Sequence, residues 1–156
     1  MRFIKLAIIS FLFFFVLLTI ISLFIPSRVR ISKATNIGGT PGQVLNYVGD
    51  TATWNEWHPL IQQLKLHGRQ QHLLAKPLAK TDSTVIFQTQ YNTQSPITNG
   101  WQVYHFPSAD SLTLQWYMDF DLEWYPWQKF GSLFYENTYG AIMQQGLDNL
   151  RQKPLP

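Results

Sequence analysis

The chain has 156 residues, enough for one domain, of which 46% are hydrophobic, 15% aromatic and only 13% charged. That charged share is about half the usual globular level and points to buried apolar volume, membrane, or both. The formal net charge of +3 is too small for a nucleic-acid footprint, so no nucleic-acid partner is expected. The absence of cysteine removes disulfides as a clue to compartment and excludes lipid attachment through an amino-terminal cysteine.

From Leu6 to Ile25 the chain reads LAIISFLFFFVLLTIISLFI, without one charge. At about 1.5 Å per residue this stretch spans roughly 30 Å, the thickness of a bilayer's hydrocarbon core. A signal peptide has an apolar core of about 7 to 15 residues, with small residues at the cut. Here the core is longer and FIPSRVR follows it. Residues 1–27 therefore read as a retained single-pass anchor, membrane-embedded through residues 6–25, in the cell membrane. Arg2 and Lys5 on one side balance Arg28, Arg30 and Lys33 on the other, so the positive-inside rule leaves orientation open.

Residues 28–153 contain no linker, repeat or charge block and form one domain large enough for a core. SRVRISKATNI alternates as a strand. Thr40-Pro41 then starts a short helix, with Thr40 as cap and Val44, Leu45 and Val48 on its apolar face. A second short helix puts Trp54 and Trp57 one turn apart, and Pro59 stops it. The pattern then changes to period two. IQQLKLHG, QHLLAK, STVIFQTQYN and GWQVYHF read as strands, SADS as a hairpin turn, and LTLQWYMDFDLEW as the best strand of all. Leu112, Leu114, Trp116, Met118, Phe120 and Leu122 share one parity of it. Asp119, Asp121 and Glu123 share the other, a wet sheet face rather than a carboxylate pair or calcium site. YPWQKFGSLF is a turn with one or two helical turns. ENTYGAIMQQGLDNLRQ spaces Tyr139, Ile142, Met143, Gly146, Leu147 and Leu150 as an amphipathic helix, stopped by Pro154. The class is α+β: an antiparallel sheet whose apolar face is covered by the last helix.

Three stretches carry a resemblance: T-P-x-x-V within Ile37 to Val44, D-x-x-x-W-x-x-W-x-P at Asp50, Trp54, Trp57 and Pro59, and the carboxyl-terminal YPWQKFGSLFYENTYGAIMQQGLDNLRQ. Together they resemble the START-like, or SRPBCC, superfamily of polyketide cyclase/dehydrase and lipid-transport proteins, whose bacterial members end in G…F-E-x-G-L-x-x-L-K. Gln144-Gln145 replaces the acidic residue often found there, and Arg151 replaces the lysine. The resemblance implies the helix-grip fold, a curved sheet wrapped around the carboxyl-terminal helix, with a cavity between them for a hydrophobic small molecule or lipid. The ligand-lining candidates are then Trp54, Trp57, Phe87, Tyr91, Trp101, Trp116, Met118, Tyr139, Met143 and Leu147. Ordinary core packing accounts for the same residues equally well.

No catalytic or metal-binding constellation stands out. His58, His67, His72 and His105 make no i, i+4 pair on a clear helix, and His58-Pro59 reads as a turn into the next strand. There is no nucleophile elbow, phosphate loop or dinucleotide fingerprint, so no cofactor and no metal are expected. The expected function is membrane-tethered binding of a hydrophobic molecule or lipid without catalysis. Two alternatives stay open. One is a cyclase/dehydrase-type enzyme using His105 or Tyr139 for proton transfer. The other is a protein-interaction module with no cavity.

Overall fold

The computed structural model describes residues 2–105 and 111–153. Helix α1 (Arg2–Ser22) is followed by strand β1 (Arg28–Ile37) and three short helices, α2 (Pro41–Gly49), α3 (Trp54–Trp57) and α4 (Pro59–Leu66). Strands β2 (Leu73–Lys80), β3 (Thr84–Tyr91), β4 (Ile97–His105) and β5 (Leu112–Asp121) come next, then α5 (Pro126–Ser132) and α6 (Tyr135–Arg151). The five strands form one antiparallel sheet in the order β1-β5-β4-β3-β2. Helix α6 packs over the β1 side of its inner face, α2 packs over β3 and β4, and α3 and α4 touch α6. This is the expected helix-grip arrangement. The hairpin turn at 108–111 and the stop at Pro154 fall largely outside the described residues.

Local chemistry explains most of these elements. Thr40 accepts a hydrogen bond from the backbone N–H of Gln43, whose side chain accepts in return from the backbone N–H of Thr40, so α2 opens with a capping box. On β5, Leu112, Leu114, Trp116, Met118 and Phe120 all face the core, as the alternation requires. Asp119 and Asp121 sit on the outer face and pair with Arg30 and Arg28 of β1. The Arg28–Asp121 pair is exposed and contributes little, whereas Arg30 holds the largely covered Asp119 through two parallel bonds of 2.6 Å.

Two sequence expectations need correction. IQQLKLHG is not a strand: its first six residues lie in α4. Pro59 ends α3 by keeping His58 extended, yet its own fixed φ suits the first position of a new helix. Ile61 and Leu64 are three apart, which serves a helix as well as the letters suggested a strand. Gly68, at φ +65°, then closes α4, with the N–H of Arg69 reaching back to Leu64 O at 2.8 Å.

Strand β4 also begins earlier than Gly100, at Ile97. Gly100 is not a boundary but a close approach. It pairs with Tyr117, whose ring occupies the space a Cβ would take.

Gly146 is a close helix–sheet contact. A Cβ built there would lie 2.8 Å from Trp116 Cζ3 and 3.2 Å from Pro59 Cδ, bringing α6, β5 and α4 together at one residue. Helix propensity alone makes Gly146→Ala stabilising by about 1 kcal/mol. Overpacking against a rigid indole outweighs that, so a net loss of about 1–2 kcal/mol is expected in urea or thermal melts.

Candidate functional site

The inner face of the sheet carries a cluster of four tryptophans. Trp101 and Trp116 lie opposite each other on β4 and β5 and stack with centroids 5.5 Å apart. Helix α3 lays Trp54 and Trp57 over them. Trp54 is 5.6 Å from Trp101 and 5.2 Å from Phe87, while Trp57 is 6.0 Å from Trp101 and 5.7 Å from Trp116. The Trp54 indole N–H donates to Val48 O at 2.7 Å, and that of Trp116 donates to Asn99 Oδ1 at 3.2 Å. Those of Trp57 and Trp101 have no protein partner. Each unpartnered indole N–H costs about 1–3 kcal/mol, less than the roughly 4–6 kcal/mol that burying an indole contributes.

His58, between Trp57 and Pro59, completes this cluster. Its ring is 4.9 Å from Trp116, 5.3 Å from Trp57 and 5.8 Å from Trp54, and its Nδ1 has no partner. Burial pushes its pKa down to about 3, opposed only weakly by its own carbonyl. The imidazole is therefore neutral at physiological pH.

Beside the cluster a cleft remains between sheet and α6, of about 30 Å³. Trp54, His58, Met118, Tyr139 and Ile142 are among the residues that line it, with Thr89, Ile97 and Asn99 on the sheet side. That volume holds roughly two waters. Toward the start of β4 and the end of β5 lies a wider, half-open groove of about 230 Å³, between residues 94–97, Phe120, Asp121, Leu122, Gln128, Tyr135 and Tyr139. Ile97 and Tyr139 belong to both spaces.

The ten sequence candidates separate accordingly. Trp54, Met118 and Tyr139 line the cleft. Trp57, Trp101, Trp116, Met143 and Leu147 are fully buried or nearly so in the packed core. Phe87 is buried against Trp54, with its other side toward a shallow groove beside β2. Tyr91 is half-buried against His72, with ring centroids 6.3 Å apart. His105 is exposed at the end of β4. Sequence reasoning missed Ile97 and Asn99, because β4 was started too late, and it read His58 only as a turn residue.

The polar groups of the cleft are neutral and mostly held in place. Asn99 Nδ2 donates to Thr89 Oγ1 at 2.8 Å while its oxygen accepts from Trp116, which fixes the amide's orientation. Burial, and then the neighbouring Tyr135, raise the Tyr139 pKa, so its phenol stays protonated. Its ring packs on Phe120 at 4.7 Å.

The sequence profile of the family described as polyketide cyclase/dehydrase and lipid transport matches residues 28–153. The chain belongs to that family. No curated protein matches it in sequence. Among solved structures, XoxI of Bacillus cereus is similar at 16% identity and TM-score 0.55, covering 80% of this chain and 94% of that one. A protein of Chromobacterium violaceum matches at 11% identity and TM-score 0.51, over 84% and 99% of the two chains. The di-domain ARO/CYC StfQ of the steffimycin biosynthetic pathway matches at 8% identity and TM-score 0.54, over 80% of this chain and 49% of that one. At these identities the likeness is one of fold.

In this polyketide cyclase/dehydrase and lipid transport family member, the tryptophans and His58 fill the half of the helix–sheet space under α3. The remaining hollow lies toward the start of β4 and the end of β5. His58 also sets a pH dependence. Above its ordinary value of 6.5 neither the folded nor the unfolded chain binds this proton, so its contribution is flat. Below that value the unfolded chain takes up a proton that the folded chain refuses, and stability is lost progressively down to about 3. Between about pH 7 and pH 5, before most carboxylates titrate, melting is expected to show a slope approaching one proton, and His58→Phe is expected to flatten it.

Proposed function

We propose that the chain is a membrane-tethered domain that holds a hydrophobic small molecule or lipid in the groove and cleft between sheet and α6, without catalysing a reaction on it. The observation that carries this reading is a pair of adjacent hollows, groove and cleft, both lined by Ile97 and Tyr139. A slender apolar chain suits so narrow a space better than a compact ring system, since the cleft is about 30 Å³. Of the ten candidates, Trp54, Met118 and Tyr139 would touch the ligand, and the other tryptophans would form the rigid wall behind it. The tether is residues 1–27, with helix α1 apolar and long enough to cross a membrane, and the binding domain is residues 28–153.

The chemistry of the polar groups supports a reading without catalysis. A general acid or base works best with a pKa near the operating pH. His58 lies far below it and Tyr139 has moved above its ordinary value, so both stay neutral. StfQ carries an ARO/CYC designation, which keeps a cyclase-type reaction as the enzymatic alternative. A different observation favours a protein-interaction module instead: the four buried tryptophans leave little internal space.

A diazirine-tailed fatty acid in nanodiscs containing the full chain tests binding in the groove against a module with no cavity. Crosslinks are expected on peptides containing Ile97, Met118 and Tyr139. Ile97→Trp is expected to cut them about tenfold, equivalent to roughly 1.4 kcal/mol, with little change in melting. Crosslinks confined to α1, or unaffected by Ile97→Trp, would refute binding in the groove.

A further inference from the structure

We propose that α5 and its flanks, Trp124 to Phe134, form a second membrane contact that seats the domain on the bilayer interface and turns the groove mouth toward lipid. This rests on the tether reading of α1 and deepens it. At about 1.5 Å per residue, a helix of this length uses up the hydrocarbon thickness by its last turn, so the chain emerges at the interface near residues 22–26.

Helix α5 is held at that level. It packs against α1, Ser22 is fully buried, and the inward-turned Lys129 donates to Ile25 O at 2.9 Å and Ser27 Oγ at 2.8 Å. Strand β1 begins directly after this tie, and the N–H of Leu122 donates to Ser27 O at 2.7 Å. The connection between α1 and the domain is thus braced by three contacts rather than left as a free linker.

The surface presented there is aromatic, with the exposed Glu123 at its edge. Of the six tryptophans, four are at most 2% exposed, while Trp124 is 59% and Trp127 63% exposed. Leu133 and Phe134 are 63% and 66% exposed, and Leu23 and Phe24 extend the patch from the end of α1. Tyr125 stacks on Trp127 with centroids 4.8 Å apart and lies 4.9 Å from Trp124. Between Trp124 and Tyr135 the sole charge is Lys129, and it is buried. Tryptophan and tyrosine favour the zone where apolar rings meet headgroups, and a large uncharged aromatic patch is costly in water.

The nearby cations Arg28 and Arg30 are paired with Asp121 and Asp119. Seating is therefore driven by aromatic burial and does not require anionic lipid. The groove opens at this same end: Asp121, Leu122 and Gln128, the last on α5 itself, form part of its rim. A ligand entering there comes from the bilayer rather than from bulk water.

Because the chain has no cysteine, single labels test the contact directly. Nitroxides are placed at Trp127→Cys and Leu133→Cys in the full chain, reconstituted in phosphatidylcholine vesicles. Phe13→Cys reports the span and Asp148→Cys the exposed far end of α6, with circular dichroism checking that each variant folds. Collisional access to oxygen over a water-soluble nickel chelate is expected to place 127 and 133 between 13 and 148, at interfacial depth. Labels at 127 and 133 that match 148 while 13 reads as buried in lipid would overturn the docking and leave the tether standing. A water-like reading at 13 would overturn both. Shielding of 127 from both probes would overturn lipid as the occupant in favour of a protein or a second copy.

Discussion

The contact on which the domain depends is the approach of α6 to the sheet at Gly146. With no side chain there, the helix backbone comes down onto the Trp116 ring, and Pro59 closes against the same residue. One absent methyl thereby brings three elements together. The last helix then lies close enough to lock α3, because Asn149 Nδ2 donates to the carbonyl of Trp57 at 3.0 Å. Trp54 is anchored from its other end by Val48. The indole cluster is thus held by hydrogen bonds and packing at its edges, while two of its own N–H groups go unpaired inside.

That arrangement divides the space between sheet and helix. Interiors pack to near-crystalline density, and four indoles, Phe87 and an imidazole leave no room under α3. The hollow survives only where the bulky residues stop, around Met118, Ile97 and Tyr139. There the polar groups are an amide fixed at both ends, a protonated phenol, a hydroxyl and the neutral imidazole of His58. An apolar group loses little by desolvating such a wall, because its polar atoms are uncharged.

The two ends of the domain differ in the same sense. At one end the apolar surface is packed inward, with Trp54 and Trp57 covered. At the other, Trp124 and Trp127 stand exposed beside the point where α1 joins the domain. The buried amine of Lys129 ties that end to the carbonyl that leaves α1. The apolar α1, the aromatic surface and the groove rim therefore lie within one neighbourhood.

Local patterning in the amino-acid sequence was sufficient for the apolar amino-terminal stretch, the capped α2, the two faces of β5, the amphipathic α6 and the α+β class. Each follows from spacing within a few residues of itself. The helix at α4 was not legible, because a proline both ends one helix and begins the next, and only packing on α6 selects the second role. Nor could Gly100 be read as a strand interior, since the reason for it is a tyrosine on another strand. The division of the ten lining candidates was equally hidden. Trp54 and Trp57 have the same composition, spacing and burial, yet one borders the cleft and the other is core. The difference lies in what faces each ring from β4, β5 and α6. Whether space remains beside a side chain is a property of the distant residues that fail to fill it, and that was decided by tertiary structure alone.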